Sequence, residues 1–310
     1  FVFQMQSNWE LKTNRGEASI FRTHSEKCPQ GTVPIRRTRK EDLIRAKSLS
    51  LSTRLVSEST HEYFAGVVYQ NEGETFQGAS AKISILKPNV NLDQYSLAEI
   101  SLRSGWDDQY TRIHVGWTVN PILYVNDTTV RNFIYWTVDN GKTTGCWNTL
   151  CPGFVQVDSQ ITPDEPVNIT STYEGKVFRM QSHVYLNSTE KKWWYVIQNV
   201  TIGYWPAEIF PLFGDTGVDR IYWGGHSMDN GDRHAPQMGS GHFPDRDYTH
   251  AAYFTQMQYN DVSGALLDPH RKRMTKVLGC KKNYDLNYLG FVEKSDRRHT
   301  IQYGGPGGKC

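Results

Sequence analysis

The chain has 310 residues, enough for one large core or two modules, with 34 Lys and Arg against 32 Asp and Glu. A net charge of +2 excludes the strong positive field of a nucleic-acid-binding protein. Mean hydropathy is −0.59 and no apolar run of about 18 residues occurs, which excludes a helical membrane span.

The first sixty residues read as an arm and linker, set apart from a main domain at 61–310. The chain opens at Phe1 with no signal-peptide core, the expectation for a processed or trimmed product. Cys28-Pro29-Gln30-Gly31-Thr32-Val33-Pro34 is punctuated as a turn or extended segment. Thr38 to Lys47 is predicted as a helix, with Thr38 and Glu41 as a capping box and Leu43 and Ile44 on its apolar face. This stretch is basic, through Arg36, Arg37, Arg39, Lys40, Arg45 and Lys47, and is expected to be a solvated face or an arm that docks on the main domain. Ser48 to Thr60 reads as a linker and processing site.

From His61 the patterning is β throughout. Strands are predicted at 63–70, 79–86, 95–102, 111–119, 132–138, 153–157, 176–186, 192–202, 220–223 and 251–259. Each is β-branched and aromatic, and Gly, Pro, Asn or Asp separates them. The fold class is therefore all-β, an antiparallel sandwich or barrel behind an arm with one short helix. Cys146 and Cys151 bracket a short loop and suit a local bridge, Cys280 and Cys310 suit closure of the C-terminal segment, and Cys28 is left odd. With four sequons, at Asn126, Asn168, Asn187 and Asn199, the cysteines indicate a secreted glycoprotein.

The chemical signal is a pair of histidines in similar settings. His114 lies in Ile113-His114-Val115-Gly116-Trp117, where alternation puts it on the face opposite its apolar neighbours. His226 follows Trp223-Gly224-Gly225, read as a strand entering a glycine turn. If the two runs lie side by side, both histidines face one cleft. Trp117, Trp223, Gln237, Ser240 and His242 are expected to line it. Gly239-Ser240-Gly241-His242 lacks the strand–elbow–helix setting of a nucleophile and is read as a turn beside the cleft. No cofactor is expected: Gly304–Gly308 precedes no helix, and no Cys/His zinc spacing occurs.

Several stretches together resemble the neprosin family of secreted plant proteins, named for a glutamic peptidase. They are Cys28-Pro-Gln-Gly-Thr-Val-Pro, His61-Glu62-Tyr63, Val115-Gly116-Trp117, Tyr135-Trp136-Thr137, Gly145-Cys146 through Gln156, and Gly203-Tyr204-Trp205-Pro206. Trp223-Gly224-Gly225, Gln237 through Phe243 and Tyr303 through Gly307 complete the set. The resemblance implies an N-terminal activation segment, a two-sheet sandwich, bridges Cys146–Cys151 and Cys280–Cys310, and an address outside the cell, in the cell wall or in the vacuole. It also implies catalytic glutamates just before Val-Gly-Trp and just after Trp-Gly-Gly, where this chain has His114 and His226.

Three readings of that pair follow. The imidazoles form an acid–base pair in a non-proteolytic enzyme, since imidazole titrates near neutrality. They bind a metal, with His234 or His242 as a third ligand. Or they line a pseudoenzyme cleft that holds a peptide, glycan or small molecule without turnover. A proline-directed endopeptidase of the neprosin type is the alternative. Glu99 and Glu208 are given no part in the chemistry.

Overall fold

The computed structural model describes residues 20–21, 29, 31–52, 61–70, 73–106, 109–229, 231–293 and 295–310. Cys28 and residues 53–60 of the linker predicted at 48–60 lie outside them, while 48–52 of that stretch belong to a helix. In chain order the elements begin with helix α1 (Lys40–Ser52), then β1 (His61–Gln70), β2 (Gly78–Ser84), β3 (Tyr95–Trp106) and β4 (Gln109–Val119). A one-turn α2 (Pro121–Tyr124) leads to β5 (Arg131–Thr137), β6 (Cys146–Trp147), β7 (Val155–Gln156), β8 (Arg179–Asn187), β9 (Lys192–Ile197) and β10 (Val200–Pro206). There follow β11 (Arg220–Asp229), β12 (His234–Ala235), β13 (Ala252–Asn260), β14 (Leu266–Leu267), β15 (Met274–Leu278), β16 (Asp285–Val292), β17 (Arg298–Gly304) and β18 (Gly308–Lys309).

Two antiparallel sheets carry the fold. The first is seven-stranded, in the order β15-β1-β11-β3-β4-β5-β6. The second is nine-stranded, in the order β16-β17-β13-β2-β8-β9-β10-β7 with β14 beside β13. Ile100, Ile113, Val115, Trp117 and Trp223 of the first sheet meet Ile83, Val184, Trp193, Phe254 and Ile301 of the second in one buried core. Period-two alternation sorts each strand. In β4, Ile113, Val115 and Trp117 point into the core, which leaves Arg112, His114 and Gly116 on the outer face.

Several local expectations need correction. The predicted strand at 192–202 is a hairpin, β9 and β10, turning at Gln198 and Asn199, both with positive φ (47° and 65°). Gly224-Gly225 is no turn: β11 runs through it to Asp229, paired with β1 and β3 along its length. Strands β15 to β17, absent from the predicted set, flank β1 and extend the second sheet.

The helix starts two residues later than expected and runs on to Ser52. Its start is closed by Asp42, in the first turn, whose carboxylate reaches back to accept the Arg39 backbone N–H at 2.8 Å, in place of the expected pair of Thr38 and Glu41. Leu43 and Ile44 are exposed. The packed residues are Ala46 and Leu49, which join Tyr95, Leu97, Leu123, Tyr135 and Trp147 over the outer face of the first sheet. Arg36 adds an ion pair to Asp164 at 3.1 Å. Disulfides join Cys146 to Cys151 and Cys280 to Cys310.

Candidate active site

The outer face of the first sheet holds the site. His114 on β4 and His226 on β11 are not on adjacent strands: β3 lies between, with His114 opposite Ser101 and His226 opposite Leu97. The residue of β3 midway between those two rows is Glu99, and its own row reads Gly66–Gly224–Glu99–Gly116–Phe133. Glycine on both sides of Glu99 leaves the space into which the two imidazoles lean. A Cβ at Gly116 would stand 1.9 Å from the Ala98 carbonyl oxygen, and one at Gly224 2.6 Å from that of Ala65, so the strands accept nothing larger there.

The result is a buried imidazole–carboxylate–imidazole array. His114 Nδ1 bonds Glu99 Oε2, and His226 Nδ1 lies 3.8 Å from Glu99 Oε1. The other nitrogen of His226 is 3.2 Å from Tyr95 Oη and 3.5 Å from Glu62 Oε1, and Tyr95 donates to Glu62 at 3.3 Å. Phe64 stacks on His226 with ring centroids 4.3 Å apart, and Tyr135 meets His114 edge-on. The His114, His226 and Glu99 side chains are only 5%, 5% and 2% exposed. Among the described residues, His114 Nε2 and His226 Nδ1 have no hydrogen-bond partner.

The electrostatics separate the roles. Burial pushes Glu99 up, but the charge and hydrogen bond of His114, then His226 and Arg112, hold it below its usual range. Burial pushes His114 down; Glu99 opposes this and Arg112 reinforces it. The two groups are coupled: with His114 held neutral by burial, its Nδ1–H still donates to Glu99, and the charge of Arg112 helps keep that carboxylate ionised. Glu62 stands at the rim with its side chain 30% exposed; partial desolvation raises it, yet His226, Arg112 and Tyr95 bring it to about 2. The ordinary state near neutrality is therefore an ionised Glu99 that fixes the Nδ1–H tautomer of His114 and leaves Nε2 as a base.

Two cavities meet at these groups. One, of about 20 Å³, is lined by Tyr95, Glu99, His114, Tyr135, Trp147 and His226, among others, and has room for one water. The other is a cleft of about 450 Å³ along the same face, bordered by Glu62, Glu99, His114, Arg112, Tyr110 and Tyr222, among others.

Of the expected lining residues, none borders either cavity. Trp117 and Trp223 are 0% exposed in the inter-sheet core, where Trp117 Nε1 donates to the Ser84 carbonyl at 2.8 Å. The alternation that sends His114 outward sends Trp117 inward, and the continuous β11 does the same to Trp223. Gln237 accepts the Asn89 N–H, Ser240 Oγ accepts the His242 N–H, and exposed His242 stacks on Tyr173. His234 is exposed beside Asp232. Neither His234 nor His242 joins the pair, and among the described residues no three His, Cys, Asp or Glu side chains form a metal-holding group.

The residues that sequence reasoning missed are Glu99, Glu62, Tyr95 and Arg112. Glu99 had a legible signal: in Tyr95-Ser-Leu-Ala-Glu-Ile-Ser-Leu it is a charge within an apolar strand, on the face opposite Ala98 and Ile100. The pairing of β3 between β4 and β11, which turns that charge into a partner for both histidines, had none.

Comparison with known proteins gives one family. The Neprosin family model matches residues 92–306. Among solved structures, scytalido-glutamic peptidase with a transition state analog inhibitor aligns at 11% identity and a TM-score of 0.43, over 79% of this chain and 98% of that one. SCP-B, of the Eqolisin family of peptidases, in complex with the tripeptide Ala-Ile-His, aligns at 11% identity and 0.42 over the same shares. The CBM40 of Ruminococcus gnavus IT-sialidase, bound to a sialyllactose, aligns at 12% identity and 0.26, over 56% of this chain and 92% of that one. The family match spans more than half of the chain, which therefore belongs to the Neprosin family.

Proposed function

We propose that this chain is a secreted acid–base hydrolase in which Glu99 and His114 supply the base and His226, with Tyr95 and Glu62 behind it, supplies the acid. The observation that carries the reading is a buried Glu99 carboxylate seated between two imidazoles, each with one unpartnered nitrogen beside a water-sized cavity. By resemblance, the positions of His114 and His226 are those of the family's catalytic glutamates. The carboxylate function then sits one strand over, at Glu99, and the flanking positions have become imidazoles.

The chemistry follows from the geometry. A water in the small cavity gives a proton to His114 Nε2 as its oxygen adds to a carbonyl carbon in the cleft. Glu99 stabilises the imidazolium that forms and holds its orientation, the part a carboxylate plays behind a histidine base. His226 has both ring nitrogens near oxygen, Nδ1 3.8 Å from Glu99 and Nε2 toward Tyr95 and Glu62, and in the proposed cycle it is the proton donor. It gives a proton to the departing amine as the C–N bond breaks. One proton is taken and one given, so the total charge of the ring pair is unchanged, and the starting state returns when the proton on His114 is transferred to His226. The family resemblance favours a peptide as the substrate. The disulfides and the surface positions of Asn126, Asn168, Asn187 and Asn199 support the secreted, glycosylated state.

The test is cleavage of a proline-containing peptide library from acid to neutral pH. Wild type is compared with His114→Ala, Glu99→Gln and the double variant His114→Glu/His226→Glu. Turnover by wild type that disappears in His114→Ala and in Glu99→Gln is the expected result. A wild type that binds peptides without turnover, beside a double variant that cuts, would overturn it and leave a ligand-binding protein on a peptidase frame.

A further inference from the structure

Two residues along each strand from the His114 row, the outer face carries a row of cations. Arg220 on β11 stands directly opposite Arg103 on β3, which stands directly opposite Arg112 on β4. Like charges facing each other across strands destabilise a sheet. Here three guanidiniums share one face of three consecutive strands, and all three border the cleft of about 450 Å³.

Among the described residues their neutralisation is incomplete. Asp219 approaches Arg220 Nε at 3.5 Å, and no other carboxylate among the described residues comes within ion-pair distance of the three. Asp107 and Asp108, between β3 and β4, lie outside the described residues. Glu62 and Glu99 act on Arg112 from the catalytic end of the cleft. Arg103, in the middle, is held below its usual range by burial and by Arg220 and Arg112, against Tyr110 and Asp219. The Nε groups of Arg103 and Arg112 are buried without a hydrogen-bond partner.

All three guanidiniums also lie over aromatic rings, Arg112 at 5.2 Å over Tyr110 and 5.7 Å over Tyr135. Arg103 lies 3.7 Å over Tyr110, and Arg220 lies 4.0 Å over Trp106, which is 69% exposed. A guanidinium laid on a ring keeps its N–H edge for a planar acceptor and loses little freedom on binding one.

We propose that Arg103, Arg112 and Arg220 form a subsite for a carboxylate of a peptide lying in the cleft. The spacing fixes where that carboxylate belongs. Two strand residues span roughly 7 Å, so the row stands about two peptide residues from a carbonyl presented to His114. The carboxylate is either an acidic side chain at that position or the C-terminus of a short peptide. The assignment rests on the cleft holding a peptide and is independent of turnover.

The experiment measures binding of fluorescein-labelled peptides to the full chain carrying His114→Ala, and cleavage of the same peptides by wild type. One set carries Glu or Gln at successive positions with an amidated C-terminus. A second set is uncharged, with a free or an amidated C-terminus. The expected result is a preference of about tenfold or more for Glu at one position, or for the free carboxylate, that collapses in Arg103→Gln and in Arg220→Gln. Retained affinity of those variants for the Gln peptides shows that they are folded. Equal binding of charged and uncharged peptides, a preference that survives both arginine changes, or no peptide binding at all would overturn the subsite. Charge-dependent binding with no cleavage would instead overturn the hydrolase reading and leave the subsite standing.

Discussion

Replacing Glu99 by Gln removes a charge and almost no volume, so it isolates what the carboxylate does for the two imidazoles. Glu99 lies 3.8 Å from His226 Nδ1 and is hydrogen-bonded to His114 Nδ1. With about 4 Å between the charge centres of Glu99 and the imidazolium of hydrogen-bonded His114, the attraction is about 4 kcal/mol at an effective dielectric constant near 20. That interaction is realised only once His114 has taken a proton, so its loss raises the barrier and leaves ground-state binding almost untouched. The expected effect is a fall in kcat of about a thousandfold with KM nearly unchanged. The assay is steady-state cleavage of the best library peptide across pH. It is paired with nitrogen-15 NMR of the imidazoles, which reads the His114 tautomer without any substrate. An amide at position 99 no longer enforces the Nδ1–H form, so the tautomer signal shifts with the rate. A kcat within about threefold of wild type, with the His114 tautomer shifted, would refute the reasoning, because the carboxylate would then orient the ring without contributing to catalysis.

The remaining predictions concern pH and packing. His114 is held below its ordinary value by burial, so the acid limb of the rate profile is expected at a pH below 6.5; a limb above 6.5 in kcat/KM would contradict it. Glu62 sits at about 2 in the folded chain against 4.5 as the ordinary value, so its contribution to stability is full above pH 4.5 and disappears as pH falls toward 2, measurable as a falling Tm. Gly116→Ala pushes a methyl to 1.9 Å from the Ala98 carbonyl oxygen, separates β3 from β4, and is expected to cost at least about 1–3 kcal/mol in a denaturant melt and to abolish turnover. Leu49→Ala opens the contact of α1 with Tyr95 and Trp147 at a local cost of about 2–5 kcal/mol, and is expected to expose the 40–52 segment to limited proteolysis while the Tm of the sandwich changes little.

The outline of the fold was legible because its physics is local. β-branched and aromatic runs between turn residues marked most of the long strands, and alternation in Ile113-His114-Val115 sent His114 to the outer face as found. The failures have a common cause. Gly224-Gly225 looks like a turn when glycine is judged by its backbone freedom alone. In the sheet it is chosen for its missing side chain, since a Cβ there meets Ala65 on one side and Tyr303 on the other. Once that stretch is a strand, Trp223 faces inward and His226 outward, which removes one expected lining residue and correctly aims the other histidine. Leu43 and Ile44 look like a helix face by spacing, yet the surface that α1 meets is set by Tyr95, Tyr135 and Trp147, from three different strands. Glu99 shows the same limit in the site itself. Its outward position follows from the sequence of β3, but its meaning comes from the strand order β11-β3-β4, a long-range pairing that no window of residues encodes. The arginine row depends on that order too. Arg103 and Arg112, inside β3 and β4, and Arg220, at the start of β11, are ordinary charges until two registers put them side by side, the juxtaposition on which the proposed carboxylate subsite rests.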